Sequence, residues 1–178
     1  MSRLKRHIFM AMCISILFVQ EQLLMIVPNV QFTTLLIVLY ASLFKFRETV
    51  AIILIYVFFD NLFMSSFHPL YTTAMIIGWL IIPVAYHTLL NKTTSETKLA
   101  LFGLSFGFVY GWVFIPFRMF EHGIDIFWPY LLADIPFEII MAVSNYVTII
   151  LLFQPLRRIV SQEFDALLVH RGFSGVKP

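Results

Sequence analysis

Two carboxylic acids, Asp134 and Glu138, lie four residues apart inside a long apolar stretch. Residues with this spacing share one face of a helix, and Asn145 falls on a nearby face about two turns further along. Ionisable side chains inside an apolar helix are costly, so they usually face a cavity or a polar partner. The pattern therefore predicts a polar helix face that binds a small molecule.

A second group of polar and aromatic residues lies near the ends of the apolar stretches. Its members offer amides, an acid, an imidazole, a guanidinium and flat rings to a small polar ligand: Asn29, Gln31, Asp60, Asn61, His68, Tyr71, Arg118, Trp128 and Tyr130. Simpler roles are open for some of them. Trp128 and Tyr130 could be aromatic residues of a membrane interface. Glu21 and Asp60 could pair with Arg118 or form hydrogen bonds between helices.

The remaining reactive residues do not form a recognisable catalytic or metal site. His122 and Asp125 could touch a metal ion, but two ligands are a weak signal, and His68 beside Pro69 is typical of a loop. Cys13 is the single cysteine and lies in an apolar run, which excludes a disulfide framework. The chain also lacks a nucleophile elbow and a phosphate-binding loop. We therefore predict a protein that is not an enzyme, holds no metal or permanently bound cofactor, and cannot hydrolyse ATP itself.

The elements that position these residues are apolar helices. The chain is 60% hydrophobic and 12% charged, whereas soluble domains are about a quarter charged. The net charge of +2 is small, and no basic cluster suggests a nucleic-acid partner. A spanning helix needs about 20 mostly apolar residues. We predict a single all-α membrane domain over residues 1–178 with six transmembrane helices, at about 8–27, 32–44, 49–65, 70–90, 99–120 and 128–153.

The first of these stretches resembles a signal peptide, but no small-x-small cleavage site follows, so we interpret it as a retained span. A five-span alternative treats residues 23–44 as one helix. Six spans place eleven of the twelve Lys and Arg residues on one side, whereas five spans place eight there. The eleven are Arg3, Lys5, Arg6, Lys45, Arg47, Lys92, Lys98, Arg157, Arg158, Arg171 and Lys177. The positive-inside rule then predicts six spans with both termini cytoplasmic, and Arg118 outside.

Three segments carry a family resemblance. They are Ala11 to Ser15, with small residues at both ends; Leu101 to Gly111, with glycines at 103, 107 and 111; and Tyr130 to Ile140, running on to Asn145. In these segments the chain resembles the S component, the substrate-binding membrane subunit, of energy-coupling factor (ECF) vitamin transporters. Small residues four apart also let membrane helices approach closely.

The resemblance implies a place in a larger machine. A member of this family binds a vitamin on the outer side of the bacterial plasma membrane, as a multi-pass protein in the lipid bilayer. It docks on a coupling transmembrane subunit through the small residues of its first helix, here Ala11 and Ser15. Two ATPase subunits bind ATP and Mg²⁺ and supply the energy.

The ligand is predicted from weaker similarity. The segments Pro28 to Gln31 and Asp134 to Phe137 look most like those of cobalamin S components, which makes cobalamin or a related corrinoid the first choice. Pantothenate, folate, pyridoxine and a queuosine precursor remain open. A membrane scaffold or assembly protein is an alternative of another class. An intramembrane enzyme that uses Asp60, Asp134 and Glu138 is a third.

The docking assignment makes a direct prediction. Replacing Ala11 and Ser15 by bulky residues should abolish vitamin uptake, because large side chains keep the partner helix at a distance. Ligand binding by the purified variant should stay intact and serves as the control. Normal uptake by the variant would rule out docking through these two residues.

Overall fold

The computed structural model describes residues 3–24, 26, 30–63 and 67–169, with side chains from residue 4 to residue 162 within those ranges. This part of the chain is helical and contains no strand. Its α-helices are α1 (Arg3–Leu24), α2 (Thr33–Leu43), α3 (Phe46–Phe63), α4 (Pro69–Thr88), α5 (Glu96–His122) and α6 (Phe127–Val169). A short 3₁₀ helix, Ile124–Ile126, connects α5 to α6. The all-α prediction is confirmed, and each of the six predicted stretches coincides with a helix over its described residues.

Four helical segments in the described ranges are long and apolar enough to cross a membrane. They are Leu4–Leu24, Pro69–Thr88, Glu96–His122 and Ile124–Gln162. The 11 residues of α2 extend only about 16 Å at a rise of about 1.5 Å per residue, about half of the hydrocarbon thickness. Helix α3 has 18 residues and includes Arg47, Glu48 and Asp60. The chain therefore has the helices of a multi-pass membrane protein, while the count of six spans stays a prediction.

The predicted end of the sixth helix before Pro155 is wrong, because α6 continues through this proline to Val169. A proline removes one backbone donor and usually kinks or ends a helix. Here Leu156 and Val160 beyond it pack against the apolar core. Their burial offsets the lost hydrogen bond, so the chain continues as a helix.

Helix α2 lies at the centre of the core. Every residue from Thr33 to Ala41 is buried. Helix α2 contacts each of the other five α-helices, and its contact with α5 is the smallest. A helix that is apolar all round is stable only when it is buried on all sides. The short α2 therefore serves as the core around which the longer helices pack.

Helices α5 and α6 form the closest helix pair, and the glycine face of α5 is the reason. A Cβ atom at Gly107 would lie 2.5 Å from both the Cα and the backbone nitrogen of Ala142. At Gly111 it would lie 2.5 Å from Oε1 of Glu138 and 3.0 Å from Oδ2 of Asp134. The predicted close approach at these glycines is confirmed. The contact also brings the two carboxyl groups directly against the α5 backbone.

The glycine face allows a graded stability test. Gly107→Ala should lower the melting temperature clearly, because its Cβ meets α6 backbone that cannot move without separating the helices; overpacking of this kind costs about 1–3 kcal/mol. Gly103→Ala is the matched control, because the atoms nearest its Cβ would be side-chain atoms, Cδ1 of Ile149 at 2.6 Å and Cβ of Asn145 at 3.3 Å, rather than α6 backbone. Thermal unfolding in detergent compares the two. Equal melting temperatures would contradict backbone contact at Gly107.

Candidate functional site

A cavity of about 230 Å³ lies between α5 and α6. Its wall combines two carboxylic acids, one guanidinium, aromatic rings and glycine backbone: Gly107, Tyr110, Gly111, Phe114, Arg118, Tyr130, Asp134, Phe137, Glu138 and Met141. On α5, Gly107, Gly111, Phe114 and Arg118 recur at helical spacing, so one helix face supplies half of the wall. The other half is the predicted acidic face of α6.

Glu138 is the most unusual group in this wall. The residue is 4% exposed, and neither carboxylate oxygen forms a hydrogen bond of normal geometry among the described residues, the Trp112 side chain being the donor that interacts with it. Buried polar groups are almost always hydrogen-bonded, and an unpaired buried carboxylate is costly. Gly111 opposite has no side chain that could supply a donor. The carboxyl group is therefore placed to bind something that enters the cavity.

Arg118 lies at the other end of the cavity, between two tyrosines. Its guanidinium carbon is 4.4 Å from the centroid of the Tyr71 ring and 5.4 Å from that of Tyr130, within the range of cation–π attraction. Arg118 also attracts the carboxylate of Asp134. Its Nε is buried without an acceptor in the part of the chain that is described. This end of the cavity therefore offers a free donor.

The charged groups of the cavity wall do not balance. One guanidinium, Arg118, faces two carboxylates, Asp134 and Glu138, which leaves a formal charge of −1 when all three are ionised. Because Arg118 offsets Asp134, the excess negative charge falls on Glu138. Tyr110 and Phe114, whose ring centroids are 5.3 Å apart, provide an aromatic wall beside it. Aromatic faces and a carboxylate together favour a positively charged ligand group.

Beyond Arg118, Glu121 joins several residues at the mouth of the cavity. The Tyr71 hydroxyl donates a hydrogen bond to Glu121, and Nε2 of His68 lies 3.3 Å from its Oε1. Nδ1 of His122 lies 3.5 Å from Oε2. Glu121 was not predicted as a site residue, although its position three residues after Arg118 puts both on one helix face. Despite these two imidazoles, the described residues contain no group of three ligands placed for a metal ion.

Asp60 and Asn61 do not line the cavity. The amide of Asn61 donates to the Val57 carbonyl at 2.8 Å and accepts a bond from the Thr72 hydroxyl at 2.8 Å. Asn61 therefore joins α3 to α4. Asp60 is buried, and its Oδ1 has no hydrogen-bond partner in the described ranges. The alternative of a hydrogen bond between helices holds for Glu21, which accepts one from the Tyr56 hydroxyl.

The other predicted site residues are dispersed. Asn145 is fully buried between α5 and α6, where its amide donates to the Gly103 carbonyl at 3.2 Å, so it supports the helix pair below the cavity. Trp128 is 66% exposed, as expected of an interfacial aromatic residue. Gln31 is half-buried and lies outside the cavity wall, and Asn29 lies outside the described residues. The structure thus brings together six predicted residues, His68, Tyr71, Arg118, Tyr130, Asp134 and Glu138.

Comparison with known proteins adds no identity to this geometry, since no family model, curated sequence or solved structure matches the chain. The cavity and its neighbours therefore carry the functional interpretation. Tyr110, Phe114 and Phe137 were not predicted as ligand contacts. The spacing of Tyr110, Phe114 and Arg118 by four residues was a signal that could have identified the α5 wall.

The position of Asn61 predicts a structural phenotype. Asn61→Ala removes the bonds to Val57 and Thr72 and leaves buried groups without partners. It should therefore destabilise the protein by about 1–3 kcal/mol. Ligand affinity of the folded variant should be unchanged. Thermal unfolding and a binding titration separate the two effects, and weaker binding without a loss of stability would return Asn61 to the ligand site.

Proposed function

We propose that the protein is the substrate-binding membrane subunit of an ECF-type importer and that the α5–α6 cavity holds its vitamin ligand. The observation that supports this most strongly is the buried Glu138 carboxylate, whose two oxygens form no hydrogen bond of normal geometry among the described residues. A scaffold that uses the same helices for packing alone has no need for such a group. A transporter subunit that binds and releases a small molecule needs such a group, because the ligand supplies the hydrogen-bond partner of the carboxylate.

The charge and shape of the wall favour one class of ligand. Glu138 suits a cationic or strongly donating nitrogen, while Nε of Arg118 suits an acceptor at the other end. Tyr110 and Phe114 suit a flat ring between these ends. The proposed ligand is therefore a small aromatic molecule with a protonated amine or amidine at one end.

The cavity volume bears on the choice among vitamins. About 230 Å³ lies just below the range of roughly 300–1,000 Å³ that is usual for drug-sized ligands. A corrinoid is far larger than such ligands, so the geometry favours the pyridoxine group or a queuosine precursor over cobalamin. Dianionic folate and the carboxylate of pantothenate would both meet an excess of negative charge at Glu138.

Docking on the coupling subunit is supported by the surface of α1. Ala11 and Ser15 are both exposed, and the Ser15 hydroxyl donates to the Ala11 carbonyl at 3.0 Å. This bond satisfies the hydroxyl within its own helix, so the face is small and needs no polar partner. An apolar groove of about 470 Å³ beside it includes Met12 and Ile16 and extends to α2 and α6. A partner helix could pack along this surface.

The proposal includes the topology and partners that the family resemblance implies. Six helices would cross the bacterial plasma membrane with both termini in the cytoplasm, which puts Arg118 and the mouth of the cavity outside. Two ATPase subunits with ATP and Mg²⁺ would act through the coupling subunit. The ligand is the one small molecule that this chain itself would bind.

Glu138→Gln tests the ligand site. A vitamin panel that contains pairs differing by an amine and a hydroxyl, such as pyridoxamine and pyridoxine, is titrated into purified protein by calorimetry. The amine should bind more tightly to the unmodified protein. The variant should lose about 10- to 100-fold in amine affinity, because a hydrogen bond to a charged group contributes about 1.5–3 kcal/mol.

Asp125→Asn is the control. Asp125 is an exposed acid just after the C-terminal end of α5, and it does not line the cavity. It should bind the amine as the unmodified protein does. Equal losses in both variants would point to a general charge effect. Unchanged affinity of the Glu138 variant for every bound vitamin would exclude this carboxylate from the ligand site.

A further inference from the structure

A basic cleft lies near the N-terminal end of α5, at the opposite end of this helix from Arg118. It has no role in the proposed vitamin site. It has a volume of about 540 Å³ and is lined by four cationic side chains, Arg6, Lys45, Lys92 and Arg157, with His87 beside them. These residues come from α1, from the α2–α3 and α4–α5 connections, and from α6. The fold therefore brings together four positive charges that are far apart in the sequence.

The positive charge in this cleft is largely uncompensated. Glu48 forms an ion pair with Arg6, and its Oε2 accepts a bond from the backbone nitrogen of Lys45 at 3.0 Å. Within the described part of the chain, the cleft lining includes no acidic residue. One carboxylate against four cations leaves a formal charge of +3. Like charges at one site repel each other, so an anion bound among them would be strongly stabilised.

Hydrogen-bond donors in the cleft also lack acceptors. Nε of Arg157, Nε of Arg6 and Nε2 of His87 are each buried without a hydrogen-bond partner among the described residues. Buried donors of this kind normally meet an acceptor. The two arginine Nε–H donors, and Nε2 of His87 when this nitrogen carries the proton, come from three helices and, with positive charge around them, match an acceptor-rich anion such as a phosphate group.

The loop that carries Lys92 is held in a defined conformation. Asn91 and Lys92 have positive φ angles of 48° and 56°, and the Lys92 nitrogen donates to the Tyr86 carbonyl at 3.0 Å. The Gln154 amide donates to the Thr94 carbonyl at 2.7 Å, which joins the loop to α6 near Arg157. These bonds hold Lys92 near the cleft, so little order has to be gained when an anion binds.

We propose that this cleft binds the phosphate group of an anionic phospholipid at the membrane surface. Arg and Lys side chains bind phosphate through charge-assisted hydrogen bonds, and basic pockets between transmembrane helices are typical sites for acidic lipid headgroups. Phe46, 41% exposed at the cleft, adds an apolar surface beside the charges. Such a surface suits the glycerol and acyl part of a lipid better than free phosphate.

Arg157 and Arg158 form a matched pair for the test. They are neighbours on α6, but Arg157 lines the cleft and Arg158 is exposed outside it. Full-length protein in neutral detergent is titrated with phosphatidylglycerol or phosphatidylcholine, and bound lipid is counted by native mass spectrometry. The unmodified protein and Arg158→Gln should prefer phosphatidylglycerol. Arg157→Gln should bind it roughly tenfold more weakly.

A second variant and a competition experiment complete the test. Lys92→Gln changes an exposed loop residue and should weaken phosphatidylglycerol binding even if Arg157→Gln fails to fold. Inorganic phosphate that displaces the lipid would support a phosphate site that also takes the free ion, and phosphate that does not displace it would support a lipid site. Equal lipid binding by the two arginine variants, or no preference in the unmodified protein, would overturn the proposal. Binding of an acidic peptide, together with no selectivity among lipids, would also overturn the proposal.

Discussion

The close contact of α5 with α6 at Gly107 and Gly111 is the constraint on which the site depends. Without side chains at these positions, the α6 backbone at Ala142 and the carboxyl groups of Asp134 and Glu138 lie directly against α5. Larger residues would separate the helices, and the cavity wall would no longer be continuous. Asn145 supports the same contact from below through its bond to the Gly103 carbonyl. The geometry of helix packing thus determines where the charged groups stand.

That packing has an electrostatic consequence. Gly111 lets Glu138 lie buried against α5 but has no side chain that could donate to it, so the helices gain close contact while the carboxylate forms no hydrogen bond of normal geometry within the described ranges. Arg118 offsets Asp134 at one end of the cavity, where Tyr71 and Tyr130 flank its guanidinium. A small cationic ligand would restore the balance of charge. At the other end of α5, the basic cleft has the opposite imbalance, so the two ends of the bundle would select ligands of opposite charge.

Local rules predicted the parts of this arrangement that depend on one helix. The spacing of Asp134 and Glu138, and that of the α5 glycines, indicates helix faces directly. Contacts between helices were harder to predict. Nothing in the sequence near Asn61 indicates that its amide oxygen accepts a hydrogen bond from the Thr72 hydroxyl. Nor does the sequence indicate that Glu121 contacts Tyr71 and His68. Pro155 misled the prediction of the end of α6, because burial of Leu156 and Val160 outweighs a local helix-breaking signal.

Mass spectrometry of the small molecules that copurify with the protein would test the proposed ligand site. We expect an aromatic vitamin or vitamin precursor with a basic nitrogen, present in stoichiometric amount and lost from protein that lacks the Glu138 carboxylate. A neutral or anionic vitamin that the altered protein retains would contradict the assigned role of Glu138 while leaving a transport function possible. Finding no small molecule, and no ATPase subunits in the same preparation, would contradict the proposed function and favour a scaffold.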